Sequence, residues 1–227
     1  MLMQGLAMIG AGFTLGLVHA MDADHVMAVT ALSNEKPGFA RTLRFSLQWA
    51  IGHGGILLLV GGALLGFGIT LPETVTWLAE VAIGFILIFL GFMCFVQLKN
   101  SAVKLNEHSH GDVTHTHWHS DEHVAAQYDK DDKKAHAPVM VGVLHGIAGS
   151  APALALVPAL VDGRLGLGLM YLAVFSFGVL LAMSMFGMSL AWVQSRLQKY
   201  HQLLQIQRYA IASVSIVFGG YWLSEAI

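Results

Sequence analysis

The sequence predicts an all-α polytopic membrane protein: six transmembrane helices arranged as two inverted three-helix repeats. Three observations carry this. Of 227 residues, 56% are hydrophobic and only 11% are charged, against about 25% charged in a soluble domain. The charges are bunched, so uncharged runs approach or exceed the roughly 20 residues a crossing helix needs. The cations also alternate between successive connections, which fixes a sidedness.

The six runs are 4–31, 44–68, 75–98, 138–161, 166–193 and 206–225. The first is longer than one crossing requires, so it either protrudes or breaks near its polar cluster. Ser33-Asn34-Glu35-Lys36-Pro37-Gly38, Thr70-Leu71-Pro72-Glu73 and Asp162-Gly163-Arg164 punctuate the rest. Lys36, Arg41 and Arg44 mark the first connection, Lys99, Lys104, Lys130, Lys133 and Lys134 the third, and Arg196, Lys199 and Arg208 the fifth; the even connections hold Arg164 alone. Lys and Arg collect on the cytoplasmic side. The odd connections are therefore expected inside and both termini outside. With no Lys or Arg before Lys36, the first helix lacks the basic region of a secretory signal and is expected to be retained.

The expected organisation is a first three-helix repeat over 1–98, a histidine-rich cytoplasmic loop over 99–137, and a second repeat over 138–227. Gly16-Leu-Val-His19 aligns with Gly142-Val-Leu-His145, and the same offset of 126 places Trp49 on Phe175 and Gly52 on Gly178. Three helices per half would insert the halves in opposite senses, the plan of many secondary transporters.

Lipid selects against ionisable side chains, and a charged aspartate at the bilayer centre costs about 2.5–3.5 kcal/mol. The first run nevertheless carries His19-Ala-Met-Asp22-Ala-Asp24-His25. Such a cluster is expected to face a protein-lined or wet cavity, and imidazole beside carboxylate is a ligand set for a divalent transition metal. On a continuous helix His19, Asp22 and His25 are spaced by three and share a face, leaving Asp24 to orient a histidine or to cap the helix end. His53 lies among Gly52, Gly54 and Gly55, and His145 in His145-Gly-Ile-Ala-Gly-Ser150-Ala-Pro152. Small residues let another backbone or an ion approach. At a rise of about 1.5 Å per residue, His19 lies roughly 9 Å from the cytoplasmic face, His53 about 13 Å and His145 about 10 Å, one layer from three helices. The candidate metal ligands are His19, Asp22, Asp24, His25, His53 and His145. The alternative for the first cluster is a helix end that has left the membrane, with its Asp and His residues solvated; for His53 and His145 it is a packing residue, His145 bonded to a neighbour.

These motifs resemble those of the nickel/cobalt transporter superfamily. His19-x4-Asp24-His25 is similar to its signature in a transmembrane helix, and Gly52-His53 to its glycine–histidine motif in the next. His145-Gly-Ile-Ala-Gly-Ser resembles the compact six-helix branch, which includes nickel/cobalt exporters and urease-accessory-like permeases. The resemblance implies metal binding and transport at His19, Asp24 and His25; Asp22 is added from helix geometry. The chain is shorter than the larger importers and lacks their acidic, threonine-bearing motif in its second half.

His108, His110, His115, His117, His119 and His123 crowd the third connection, with His136 beyond them. Tracts of this kind bind divalent metal compositionally, without one geometry, and no packed core is expected there. Imidazole ligates when neutral, so binding should weaken below about pH 6.5. Met183, Met185 and Met188 raise Cu(I) as a rival cargo, although methionine in an apolar helix usually packs. Glu80 could relay a proton or sit at the interface, and Gln48 and Ser176 could line a path. A single cysteine, Cys94, excludes an intramolecular disulfide. No P-loop and no His-Glu-x-x-His motif occurs. A net charge of −2 argues against a nucleic-acid partner.

The expected function is a cytoplasmic (inner) membrane secondary carrier, not an enzyme, for Ni2+ and/or Co2+. No permanent cofactor is expected; the ion is cargo, with a proton as counter-ion and export favoured over uptake by the cytoplasmic loop. The expected partners are the divalent ion and the lipid bilayer, and a homo-oligomer is compatible with the sequence. The alternatives are a membrane-embedded metalloenzyme and a metal-sensing or chaperoning partner of a metalloenzyme assembly system.

Overall fold

A computed structural model describes residues 2–35, 39–68, 71–100, 105–110, 113–118, 136–148, 165–197 and 200–227. Among them the apolar runs are helical: α1 (Leu2–His19), α2 (Ala23–Glu35), α3 (Phe39–Phe67), α4 (Glu73–Asn100), α5 (Ala137–Ala148), α6 (Leu165–Leu197) and α7 (His201–Ala226). Three of these helices are long and apolar enough to cross a membrane, or four when α1 and α2 count as one bent span. Large apolar side chains such as Leu59, Phe85, Phe89, Phe92, Phe177 and Val217 stand exposed on the outer surface. A soluble monomer would not leave so much apolar surface to water; this is a multi-pass membrane protein. Of the six expected crossings, α7 falls short in apolarity because Arg208, serines and glycines dilute it. The fourth is helical from Ala137 to Ala148, and the rest of the expected run, 149–161, lies outside the described residues.

The first run breaks. Between His19 and Ala23 the helix tightens, with Met21 N donating to Val18 O and Asp22 N to His19 O, before His25 N and Val26 N restart on Asp22 O. Asp22 thus occupies the position before α2, where aspartate is favoured, and Asp24 sits in the first turn, where the helix dipole favours a carboxylate. The two halves meet at 54°.

Small residues then set the packing. A Cβ on Gly16 would lie 2.2 Å from the Phe175 carbonyl oxygen, and one on Gly142 would lie 2.0 Å from that of Trp49. A Cβ on Gly52 would meet Val139 O, and one on Gly178 would meet Phe13 O. Residues related by the offset of 126 therefore exchange partners: 16 with 175 and 142 with 49, 52 with 139 and 178 with 13. As a result α1 packs on α6 while α5 packs on α3, and α3 packs on α6. α4 and α7 close the arrangement through Gly84 against Gly219 and Gly91 against Ala212, with Ser215 Oγ donating to Leu87 O at 2.8 Å. Along α3 the buried residues Thr42, Ser46, Trp49, His53, Leu57 and Val60 recur every three or four positions and make the inner stripe.

The third connection holds a two-stranded antiparallel hairpin, β1 (Leu105–His110) with β2 (Val113–Trp118). The sequence reading did not anticipate strands here, because charge and histidine content masked the alternation of Val113-Thr-His-Thr-His-Trp118.

Candidate metal centre

The break between α1 and α2 folds His25 back over His19. Their Nε2 atoms lie 3.3 Å apart, and the rings meet edge-on with centroids 4.7 Å apart. α3 inserts His53 beside both, 5.3 Å from His19 and 5.0 Å from His25 between ring centroids. α5 brings His145 to 5.4 Å from His25. The layer expected from helix depth is therefore assembled.

The tautomers follow from the outer contacts. His19 Nδ1 lies 2.9 Å from Asp22 Oδ2 and His145 Nδ1 lies 2.8 Å from Val141 O. Both acceptors carry no proton to give, so each Nδ1 donates, and each Nε2 keeps its lone pair for the interior. His145 Nε2 then faces Asp24 Oδ2 at 4.0 Å. His25 Nδ1 approaches the same Asp24 oxygen at 2.9 Å but without hydrogen-bond geometry. Two ligand atoms aimed at a shared third point make such an approach. His53 has both ring nitrogens buried and unpartnered among the described residues. Buried polar atoms are almost always satisfied, so both nitrogens of this ring are open to a bound ligand or water.

Two triads result, each with its ligand atoms within 4.8 Å of one another: His19, His25 and His53, and Asp24, His25 and His145. A metal at about 2.1 Å from each ligand bridges at most about 4.2 Å, so a small contraction would close either triad on an ion. Aromatic rings wall the pocket. Trp49 stacks on His53 at 5.0 Å and 15°, and also meets His25 and His145; Phe175 backs His19 at 5.5 Å.

Two expectations change in detail. The break removes the continuous face that would have aligned His19, Asp22 and His25, so Asp22 is 53% exposed at the side chain and orients His19 from outside. Asp24, which a continuous helix would turn away but which the motif implies as a ligand, is buried inside the cluster, with a side chain only 5% exposed. Trp49 was not singled out as a wall of the site, although its spacing of four from His53 on one helix is the signal that could have found it. Of the thioethers, Met183 is buried while Met185 and Met188 face outward, so they do not converge. Ser176 donates to Gly54 O at 3.4 Å and joins helices. Glu80 and Gln48 are half-buried and belong to neither triad.

In the loop, strand register pairs His108 with His115 and Asn106 with His117. Alternation along a strand places residues two apart on one face, so His108, His110, His115 and His117 occupy positions of a single face of the hairpin. His119 and His123 lie outside the described residues, and His136 is exposed.

The family described as the cytochrome c biogenesis protein transmembrane region matches residues 11–222, which contain both triads. The chain belongs to that family. The chain is also 28% identical, over 222 residues, to the urease accessory protein UreH of Bacillus sp. (strain TB-90), covering 96% of this chain and 91% of the relative. The kinship with urease-accessory-like members, anticipated from the motif at His145, is borne out by that relative. No solved structure matches the chain. Family membership here carries a transmembrane architecture; chemistry has to be argued from the site. With one cysteine, Cys94, the chain cannot itself perform dithiol–disulfide exchange.

Proposed function

We propose that this chain is a secondary transporter of Ni2+ and/or Co2+ in the cytoplasmic membrane, built as two inverted three-helix repeats with six crossings. The observation that carries the reading is the convergence of buried Asp24, His25, His53 and His145 with part-buried His19, His53 being unpartnered at both nitrogens among the described residues. Nitrogen and carboxylate donors replace the water stripped from a divalent cation, and mixed imidazole–carboxylate sets suit these metals. The reciprocal glycine contacts at an offset of 126 support the repeat, and transporter sites form where such repeats meet. Positive charge on the odd connections supports a cytoplasmic loop with both termini outside.

Metal binding to imidazole and carboxylate displaces protons, which supports a proton as counter-ion. Export is favoured, because the histidine-rich loop would gather ions on the cytoplasmic side. The chain has no catalytic role in this reading, and Asp22, together with the loop residues His108, His110, His115, His117, His119 and His123, assists the site or supplies it. Nickel flux into proteoliposomes tests the proposal: the native chain should carry 63Ni2+, and His53→Ala should not. Equal flux with both would remove the cluster from transport. A second reading, a metal-chaperoning partner of an assembly system, draws on the one-faced histidine hairpin and on the name of the relative. Deleting residues 108–123 separates the two, since a carrier keeps flux and a loop chaperone loses function.

A further inference from the structure

The two triads share His25, whose two ring nitrogens approach different members of them. His25 Nε2 lies 3.3 Å from His19 Nε2, a member of the triad with His53, and His25 Nδ1 lies 2.9 Å from Asp24 Oδ2, a member of the triad with His145. We propose that the pocket is two ligand stations in series, one all-nitrogen (His19, His25, His53) and one carboxylate-bearing (Asp24, His25, His145). His25 is the hinge through which a single ion passes between them. The inference rests on the transporter reading and divides its site.

Three arguments support it. A neutral imidazole offers one lone pair, its other nitrogen carrying the proton. His25 therefore serves one station at a time, and the stations exclude each other. A single undivided pocket is also too wide: a ligand pair on one ion spans at most about 4.2 Å, and only within each triad do the ligand atoms gather inside 4.8 Å. Finally, the stations are counterparts under the offset of 126. His19 leans on Phe175 and His145 on Trp49, at 5.5 and 5.6 Å, and those two histidines and two aromatics are each 126 apart. The glycine one turn before each histidine, Gly16 or Gly142, presses on the carbonyl of that same aromatic residue. Each station thus has its own glycine–histidine helix, α1 or α5, while His25 belongs to both and Trp49 touches both through His53 and His145. The stations differ in charge, because only the second contains a carboxylate. A divalent ion is held more firmly there, and that asymmetry gives the exchange a direction that a conformational change can reverse.

The probe is Co2+ alone, whose visible spectrum reports its ligands, added to the full chain in nanodiscs with the loop histidines replaced by asparagine. One Co2+ per chain is expected. His53→Gln and His145→Gln should each still bind one ion, with spectra that differ from each other, yet neither should pass Co2+ across a liposome membrane. His25→Gln should weaken binding by more than about 100-fold, beyond the loss caused by removing a merely orienting neighbour. Two ions per chain, or loss of all binding in either single variant, would overturn the two-station division while leaving a metal carrier. A parent chain that binds no Co2+ would overturn the carrier reading itself. Should a variant fail to fold, X-ray absorption on Co2+ bound to the parent decides: two or three imidazoles agree with the stations, and four at once refute them.

Discussion

Gly142→Ala should uncouple the site without replacing any ligand side chain. The added Cβ would stand 2.0 Å from the Trp49 carbonyl oxygen. Close carbon–oxygen contacts in helix interfaces settle near 3.3 Å, so α5 must retreat from α3 by about 1.3 Å. The obstacle is backbone, which cannot rotate aside, so the strain falls toward the upper end of the roughly 1–3 kcal/mol typical of overpacking. Replacing glycine by alanine returns about 1 kcal/mol of helix propensity, which leaves a net loss of about 1–2 kcal/mol. The effect on the ion is larger than the effect on stability. His145 sits one turn beyond Gly142, and its Nε2 is already 4.0 Å from Asp24 Oδ2. A retreat of that size opens the gap to as much as about 5 Å, past the roughly 4.2 Å one metal can bridge. Nickel flux in proteoliposomes should fall by about 10-fold or more. Gly55→Ala is the control, since a Cβ there meets nothing within 4 Å and should leave flux intact. Parental flux and thermal stability in Gly142→Ala would show that the α3–α5 contact does not position the site.

Three further outcomes are expected. Asp24→Asn, which keeps shape and removes charge, should reduce Ni2+ affinity in equilibrium dialysis more than Asp22→Asn does, because Asp24 is buried in the cluster while Asp22 is exposed; the opposite ranking would return Asp22 to the ligand set. Trp49→Ala removes the largest of the fully buried side chains and should destabilise by about 3–5 kcal/mol, read as a lower melting temperature in detergent, with Trp49→Phe milder; an unchanged melting temperature would deny Trp49 its place in the core. Ser215→Ala deletes an α7-to-α4 hydrogen bond and should cost about 0.6 kcal/mol and at most about 1.7 with flux unchanged, so loss of flux would assign α7 a role at the site.

The convergence of His19, His53 and His145 was legible because rise per residue and charge sidedness are both arithmetic on the sequence. The inward carboxylate was legible from the motif, which implies Asp24, but not from helix geometry. Spacing by three selects Asp22 only while the helix continues, and the break after His19 depends on Asp22 preceding α2, a local choice that competes with a long apolar run. The offset of 126 was visible as four aligned positions. That those positions face each other across helices, rather than merely match, is a property of packing. The hairpin in the loop escaped notice because its alternation is between histidine and threonine or serine, not between apolar and polar residues.

The pairing of helices also bears on how the chain is made. α1 rests on α6 and α5 on α3, so neither half owns a core of its own. The N-terminal half leaves the ribosome first, with Asp24 and His25 already in the bilayer and the backbone notches of Gly16 and Gly52 unfilled. Until α5 and α6 arrive, that polar knot faces lipid or borrowed water. A copy truncated after the third connection would lack α5 and α6, the surfaces on which α1 and α3 pack.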